Sequence, residues 1–185
     1  MQYAFMSDKL TDRVITFKQA CEISKESREK GLYTIFATGI FDILHMGHAL
    51  FLKSLKKKAA VVIVGVDDNV TARKIKGYER PFFDETERAE LLSAMEFVDY
   101  TFIFKGPCNA RIISDLKPTY YGISPFDPNR LNKKRDAEVA DVKLFISPPF
   151  LKSYSSSKLG RTFRYEHLTS IPTLQEQVDW ETLQR

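Results

Sequence analysis

The stretch that decides the fold reads Thr38-Gly39-Ile40-Phe41-Asp42-Ile43-Leu44-His45-Met46-Gly47-His48. It follows the apolar, β-like run Tyr33 to Ala37 and precedes the amphipathic segment Ala49 to Lys58, so the predicted order is strand, glycine-bearing turn, helix. Such a turn exposes backbone N–H groups and the positive end of a helix, which favour an anionic ligand. Gly39 and Gly47 allow the backbone to approach a phosphate closely. The stretch therefore predicts a phosphate-binding loop.

The two histidines of this stretch are the candidate catalytic groups. His45 and His48 are three positions apart, so at the start of a helix they project from one side of its first turn. Two imidazole donors beside a backbone cradle suit the charge that builds on a phosphate during its transfer. Zinc binding is the competing interpretation. It is not favoured, because Cys21 and Cys108 stand alone in the sequence and no third ligand follows at helical spacing.

Size and composition predict an ordinary globular protein. The chain has 185 residues, of which 43% are hydrophobic and 28% charged, which is enough for one substantial core and one domain. Two cysteines give no disulfide framework, and there is neither a signal-peptide core nor an apolar run of membrane-spanning length. We therefore expect a cytoplasmic protein. The net charge of +4 suits phosphorylated metabolites better than nucleic acid, which usually requires a denser basic face.

Strand-like and helix-like segments alternate along the chain. The predicted strands are Tyr33–Ala37, Ala59–Val66, Thr101–Phe104, Thr119–Gly122 and Val142–Ile146, and the predicted helices are Phe17–Lys30, Ala49–Lys58, Pro107–Leu116 and Phe83–Met95. The unbroken apolar character of the second strand is typical of a parallel sheet covered on both faces. This pattern predicts an α/β, doubly wound, mostly parallel five-stranded sheet, Rossmann-like, with helices on both faces. We assign residues 1–160 to this domain and 161–185 to an extension of unknown role. A homodimer is possible.

Two segments that follow predicted strands are candidate ligand-side loops. Ligands of open α/β sheets gather at the carboxyl ends of the strands, so the turn Asp67–Asn69 makes Asp68 a candidate, and the loop that begins at Gly122 is another. Further on, the sequence has four positive charges that we expect to be solvated, with binding of an acceptor phosphate as the alternative: Arg130, Lys133, Lys134 and Arg135.

The segment from Thr71 to Pro81 is predicted to be a basic loop. It contains Gly77 and four positive charges, namely Arg73, Lys74, Lys76 and Arg80. One interpretation is a mobile surface loop; the other is a lid whose lysines clamp a triphosphate. The residues alone do not favour either.

These motifs carry a resemblance to a known family. The run Gly39–His48 resembles the H-x-G-H signature of the cytidylyltransferase-like nucleotidyltransferase superfamily, and within it the adenylyltransferase domains of bacterial ADP-heptose synthases. In those domains a lysine-containing stretch ends K-G-x-x-R-P, which Lys76, Gly77, Arg80 and Pro81 match. Lys74 stands where the related glycerol-phosphate cytidylyltransferases have another lysine. The resemblance favours the lid interpretation.

The resemblance implies further contacts with nucleotide. Arg88 matches an arginine of the family and would hold a substrate phosphate, unless it is an ordinary surface arginine. Ser155, Ser156 and Ser157 would hold the β- and γ-phosphates, although serines before a helix are ordinarily caps. The other implied nucleotide-binding residues are Thr38, Gly39, Ile40, Phe41, Asp42, Gly47, Asp68 and Gly122. The family's K-G-x-D-Y motif is absent from the loop after Gly122, which leaves the acceptor open.

The implied reaction is attack by a phosphate oxygen of an acceptor on the α-phosphate of a nucleoside triphosphate, with release of pyrophosphate. No general base is needed, because the second pKa of a phosphate monoester is about 6. His45 and His48 would act at the α-phosphate, and Lys74 and Lys76 on the α/β charge. Asp42 would orient the loop or a water bound to Mg²⁺, which we expect to enter with the triphosphate.

Three alternatives stay open. One is a cytidylyltransferase that uses CTP and a polyol or amino-alcohol phosphate. Another is a non-catalytic nucleotide-sensing or RNA-binding module of the same fold. The third is a fragment of a class I aminoacyl-tRNA synthetase, whose signatures resemble H-x-G-H and Ser-Ser-Lys; this is the least favoured, because 185 residues leave no room for an anticodon-binding domain.

Overall fold

The strands of the sheet lie close to their predicted positions. A computed structural model describes residues 10–108 and 110–149 of the chain. Within them five strands form one sheet, β1 (Thr34–Gly39), β2 (Val61–Asp67), β3 (Tyr100–Phe104), β4 (Tyr120–Ile123) and β5 (Lys143–Ile146). The described helices are α1 (Phe17–Glu29), α2 (Met46–Lys58), α3 (Asn69–Lys76), α4 (Glu85–Ser93), α5 (Ala110–Leu116) and α6 (Arg130–Val139).

The sheet is parallel throughout and has the order β3-β2-β1-β4-β5. β1 is central, with Thr34 opposite Val61 of β2 and Ile35 opposite Tyr120 of β4. Strand order reverses between β1 and β4, and in open α/β sheets the crevice beyond the carboxyl ends at such a point is where ligands bind. The predicted doubly wound α/β fold is confirmed.

Both faces of the sheet are covered by apolar side chains. One cluster packs Leu52 and Leu55 of α2 and Leu92 of α4 against β1 and β2. The other packs α1, α5 and α6 against Phe36 and Phe102, whose rings stack 5.7 Å apart. Burial of this apolar surface is the main favourable term in folding, and it fixes the carboxyl ends of the strands relative to α2.

Side chains cap the N-termini of two helices on the sheet. Thr16 caps α1, and its side chain accepts a hydrogen bond from the backbone N–H of Gln19. Asp84 caps α4 and exchanges the two bonds of a capping box with Glu87. α2 begins at Met46, three residues earlier than predicted, so the histidine pair lies at the very start of that helix.

Two helices were not predicted. The segment from Thr71 was expected to be a basic loop, but α3 runs from Asn69 to Lys76, because Asp68 caps it by accepting the Thr71 N–H at 3.0 Å. Its three cations fall in the last turn, where the helix dipole favours positive charge. The charge cluster that begins at Arg130 forms α6. Arg130, Lys134 and Arg135 are exposed as expected, whereas Lys133 turns inward.

Some predictions lie outside the described residues. Ser155, Ser156, Ser157 and the extension 161–185 are among them. Within the described ranges, no helix combines the length and apolar character needed to cross a membrane.

Candidate active site

A cavity of about 320 Å³ opens at the carboxyl ends of β1, β2 and β4. It lies at the point where strand order reverses. The predicted site residues that line it are Thr38, Gly39, Ile40, Phe41, Asp42, His45, Gly47, His48, Lys76 and Gly122. The structure therefore brings both histidines, most of the stretch around them and one lysine of α3 to a single cavity.

The two histidine rings form one wall of this cavity. Their centroids are 3.9 Å apart and their planes 21° from parallel, so the rings stack. His45 is the N-cap residue of α2, and His48 lies in its first turn with its ring 5.2 Å from that of Phe41. The His45 side chain makes no capping hydrogen bond, which leaves first-turn N–H groups of α2 for an anionic ligand.

Burial keeps the imidazoles uncharged. It lowers the pKa of His48 to about 3, assisted by the nearby charges of His45 and Lys76. Burial also lowers the pKa of His45. His48 Nδ1 is buried and has no hydrogen-bond partner within the described ranges. A neutral imidazole carries one N–H donor and one acceptor nitrogen, so the pair can donate hydrogen bonds to phosphate oxygens without carrying charge itself.

The loop at the end of β1 has a backbone shape that suits close approach. Phe41 adopts a positive φ of 50°, which is uncommon for a residue with a side chain. Its ring lies over the preceding turn, so a Cβ at Gly39 would be only 3.0 Å from the ring atom Cε2. Glycine at position 39 therefore lets Phe41 fold back and leaves the main chain open to the cavity.

Two buried arginines hold this loop from the side of α4. Asp42, 2% exposed, pairs with Arg80 and accepts the Phe82 N–H at 2.7 Å. Arg88, fully buried, donates to the carbonyls of Ile40 and Asp67. Two roles were proposed for Asp42, orienting the loop or orienting a water bound to Mg²⁺. These contacts support the first.

Three predicted site residues do not line the cavity. Arg88 is neither a surface arginine nor a cavity residue; its donors go to backbone carbonyls and to Asn69. Asp68 is used as the cap of α3. Lys74 lies in the last turn of α3 and, unlike Lys76, is not part of the cavity wall.

The opposite side of the cavity contains Lys133, for which binding of an acceptor phosphate was only the alternative prediction, and two carboxylates that were not predicted site residues. Lys133 of α6 donates to the Thr38 carbonyl at 2.8 Å and to Asp127 at 2.7 Å. Asp67, at the end of β2, also lines the cavity. Burial raises its pKa to about 6, although Lys133 and Arg88 act in the opposite direction. The sequence signals for this side were the loop that begins at Gly122 after a predicted strand and the cluster of positive charges that begins at Arg130.

A third group of polar side chains lies beneath the cavity. The hydroxyls of Thr38 and Tyr121 are 2.9 Å apart, and the Tyr121 hydroxyl donates to Cys108 Sγ at 3.9 Å. Burial raises the pKa of Cys108 to about 11, so its thiol stays protonated near neutral pH. A thiol in this state is a poor nucleophile, which argues against covalent catalysis through Cys108.

The residues fit a magnesium ion that enters with a substrate. The described residues contain no cluster of three or more His, Cys, Asp or Glu side chains that could hold a metal. Mg²⁺ is usually bound by one or two carboxylates together with substrate phosphates. Three carboxylates line the cavity. Asp67 suits this role best, because Asp42 is paired with Arg80 and Asp127 with Lys133.

The fold and the cavity together define a nucleotide-binding domain of the doubly wound α/β class. Comparison with known proteins identifies the family within this class. The model of the cytidylyltransferase-like family matches residues 36–159. The chain belongs to this family, whose model covers about two thirds of its length.

Among curated proteins, the chain is similar to the bifunctional protein HldE of several bacteria. It is 36% identical to that of Geobacter metallireducens over 96 residues, 52% of this chain and 20% of the relative. It is 30% identical to that of Helicobacter pylori over 117 residues, 63% of this chain and 25% of the relative. The chain thus spans only about a fifth to a quarter of the length of these relatives. The predicted resemblance is confirmed.

Solved structures agree on the fold. A lipopolysaccharide core biosynthesis protein from Thermoplasma volcanium superposes with a TM-score of 0.55 and 30% identity, covering 65% of this chain and all of that one. A pantoate-beta-alanine ligase from Francisella tularensis, solved with beta-gamma ATP and beta-alanine, gives the same TM-score at 16% identity and covers 84% of this chain and 78% of its own.

Proposed function

We propose that the chain transfers a nucleoside monophosphate from ATP to a phosphorylated small molecule such as a sugar phosphate, with release of pyrophosphate. The observation that carries this proposal is the stacked histidine pair at the N-terminus of α2, open to a cavity that also contains Lys76. The choice of ATP and of a sugar phosphate rests on the likeness to the bifunctional HldE proteins and to a lipopolysaccharide core biosynthesis protein.

The chemistry needs positioning and charge neutralisation rather than a nucleophilic side chain. The phosphate of the acceptor is largely dianionic near neutral pH and attacks without a base. As the bond from the α-phosphorus to the bridging oxygen breaks, negative charge grows on that oxygen and on the α-phosphate oxygens. His45 and His48 donate hydrogen bonds there, the first-turn amides of α2 hold the phosphates, and Lys76 balances the charge of the pyrophosphate.

The anchored loop gives this arrangement its rigidity. Arg80 holds Asp42, and Arg88 holds the carbonyl of Ile40, so the loop does not have to be ordered when substrate binds. Donors that are already oriented stabilise a transition state without reorganisation. Asp67 would help to hold a magnesium ion, which would supply further charge neutralisation.

The test is a screen of pyrophosphate release from ATP, CTP, GTP and UTP. Each triphosphate is combined in turn with mannose 1-phosphate, glycerol 3-phosphate, phosphocholine and 4′-phosphopantetheine, with and without Mg²⁺. We expect magnesium-dependent release from ATP with the sugar phosphate. Release confined to CTP with a polyol or amino-alcohol phosphate would contradict the choice of ATP. Triphosphate binding without any pyrophosphate release would indicate a nucleotide-sensing module and overturn the proposal.

A further inference from the structure

The cavity contains a second cationic side chain, Lys133, to which the proposed reaction gives no role. Within the described ranges, two cationic side chains line it, Lys76 and Lys133. Lys76 is the last residue of α3, and its charge helps to lower the pKa of His48. It therefore lies on the same side of the cavity as the histidine rings. Lys133 comes from α6 on the other side of the strand-order reversal, where it contacts the carbonyl of Thr38.

Lys133 is nearly buried, which is unusual for lysine. Its side chain is 12% exposed, and that of its partner Asp127 is 18% exposed. Lysine is almost never this buried unless it is paired, and a buried ion pair gains little or no net stability because both charges lose their water. A contribution to stability alone therefore explains this pair poorly. Both of its side chains line the cavity in which we propose that phosphates bind.

The proposed reaction brings two phosphate-bearing molecules into one cavity. The triphosphate has its own donors, namely the histidine pair, the amides of α2 and Lys76. A second phosphate close to it would be repelled unless it had a cation of its own, because two charges a few ångströms apart interact strongly when water is partly excluded. Lys133 is the cationic side chain of the cavity that the proposed contacts to the triphosphate do not use.

We propose that Lys133 binds the phosphate of the acceptor. In the free protein its Nζ is paired with Asp127, and on entry of the acceptor the phosphate takes the place of that carboxylate. The lysine stem and its rotatable donors allow such an exchange, while the bond to the Thr38 carbonyl keeps Nζ beside the end of β1. This inference rests on the proposed function and assigns the acceptor half of the same cavity.

The first test compares Lys133→Met with Lys134→Met. Lys134 is the matched control, because it is the next residue of the same helix, is 59% exposed and pairs only loosely with Glu138 at 3.8 Å. We expect Lys133→Met to raise the KM of the acceptor about ten- to a hundredfold, the usual effect of losing a hydrogen bond to a charged group. Binding of α,β-methylene-ATP, measured by calorimetry, should stay within about twofold of the wild type. Lys134→Met should change neither quantity.

The second variant, Asp127→Asn, separates acceptor binding from a purely structural role. Asparagine retains the side-chain oxygen that accepts the Asn129 N–H, so the turn before α6 keeps its hydrogen bond. It removes the charge that competes with the acceptor phosphate for Lys133. We expect this variant to lower the KM of the acceptor, opposite in sign to Lys133→Met. If Lys133 only pinned α6 to β1, both variants would loosen the pair and shift KM in the same direction.

The outcomes separate this inference from the proposed function. If the wild type releases pyrophosphate but Lys133→Met leaves the acceptor KM unchanged, or weakens α,β-methylene-ATP as much as the acceptor, Lys133 is not the acceptor-phosphate residue. If Lys133→Met and Asp127→Asn shift the KM alike, the role is structural and the inference is wrong. If the wild type releases no pyrophosphate with any acceptor tested, the proposed function itself fails and this inference with it.

Discussion

In the proposed reaction, His48 is an uncharged hydrogen-bond donor rather than a cation. Burial lowers its pKa to about 3, and the ring of His45 stacked on it at 3.9 Å would make a second positive charge costly. Such a pair keeps its donors oriented but adds no charge of its own. At the residue scale, the proposed catalysis therefore relies on preorganised donors and on Lys76 for net charge.

The first prediction concerns the loss of that donor. In His48→Ala, pyrophosphate release should fall about a hundred- to a thousandfold, the usual effect of removing one preorganised donor to a developing oxyanion. The fold should survive, because the apolar clusters on both faces of the sheet do not depend on this ring. Turnover and thermal unfolding are measured on the same preparation. Near-normal turnover would rule out the assignment of His48.

The second prediction follows from the buried, neutral state of His48. The unfolded chain takes up a proton at this residue near pH 6.5, whereas the folded chain does so only near pH 3. Stability linked to this group is therefore complete above pH 6.5 and is lost as the pH falls below it, by about 1.4 kcal/mol per pH unit. Between pH 7 and pH 5 the wild type should lose about 2 kcal/mol more than His48→Ala.

Urea unfolding of both chains at pH 5, 6 and 7 measures this difference. Asp67 acts in the opposite direction, because burial raises its pKa to about 6 and the stability linked to its protonated form is lost as the pH rises through that value. Asp67 is present in both chains, so its effect cancels in the comparison. Parallel stability–pH curves for the two chains would show that His48 titrates normally in the folded state.

At the scale of elements, α3 and α6 are helices that sequence reasoning missed, although each contributes a lysine to the cavity. α3 has eight residues and buries only Thr71 and Ala72, and α6 buries only Ala137 while Leu131 is 76% exposed. Neither helix presents an apolar stripe, which is the main sequence signal for a helix. The strands were predictable because β1 and β2 bury nearly every side chain.

The residues of the candidate site also fall into a group that the sequence could predict and a group that it could not. The histidine stretch was predictable because its residues are adjacent in sequence and their geometry is local. Lys133, Asp127 and Cys108 reach the cavity only because the chain order of the sheet places the segments after β4 and β3 beside the end of β1. No local pattern records that proximity, and it becomes visible only in the folded chain.

The third prediction separates two lysines of α3 that sequence reasoning treated alike. Lys76 lines the cavity and lies close enough to His48 to lower its pKa, whereas Lys74 does not line it. Lys76→Ala should therefore raise the KM of the triphosphate about tenfold or more, as expected for loss of a charge-assisted hydrogen bond. Lys74→Ala should change that KM by less than about threefold, as for a screened surface charge. Steady-state kinetics with varied triphosphate decide between them; equal effects would indicate that α3 moves as a lid when substrate binds.

At the scale of the whole molecule, the chain combines a complete five-stranded sheet with a match to only about a fifth to a quarter of the HldE relatives. The family model ends at residue 159, close to the boundary predicted at residue 160. The sheet, the histidine wall and the loop anchored by Arg80 and Arg88 all lie before that boundary. We therefore expect the first 160 residues to contain everything that triphosphate binding requires.

The fourth prediction tests that boundary with two truncated chains. A chain of residues 1–160 should keep the cooperative unfolding of the full chain and its affinity for α,β-methylene-ATP. A chain of residues 1–150 retains β5, so it should still unfold cooperatively, but it lacks Ser155, Ser156 and Ser157. If those serines hold the β- and γ-phosphates as the family resemblance implies, its affinity should fall by at least about tenfold, the loss of one charge-assisted bond.

Full-strength binding by the shorter chain would assign the outer phosphates to Lys76 and the amides of α2 alone. Loss of binding by the longer chain would instead make 161–185 part of the nucleotide site.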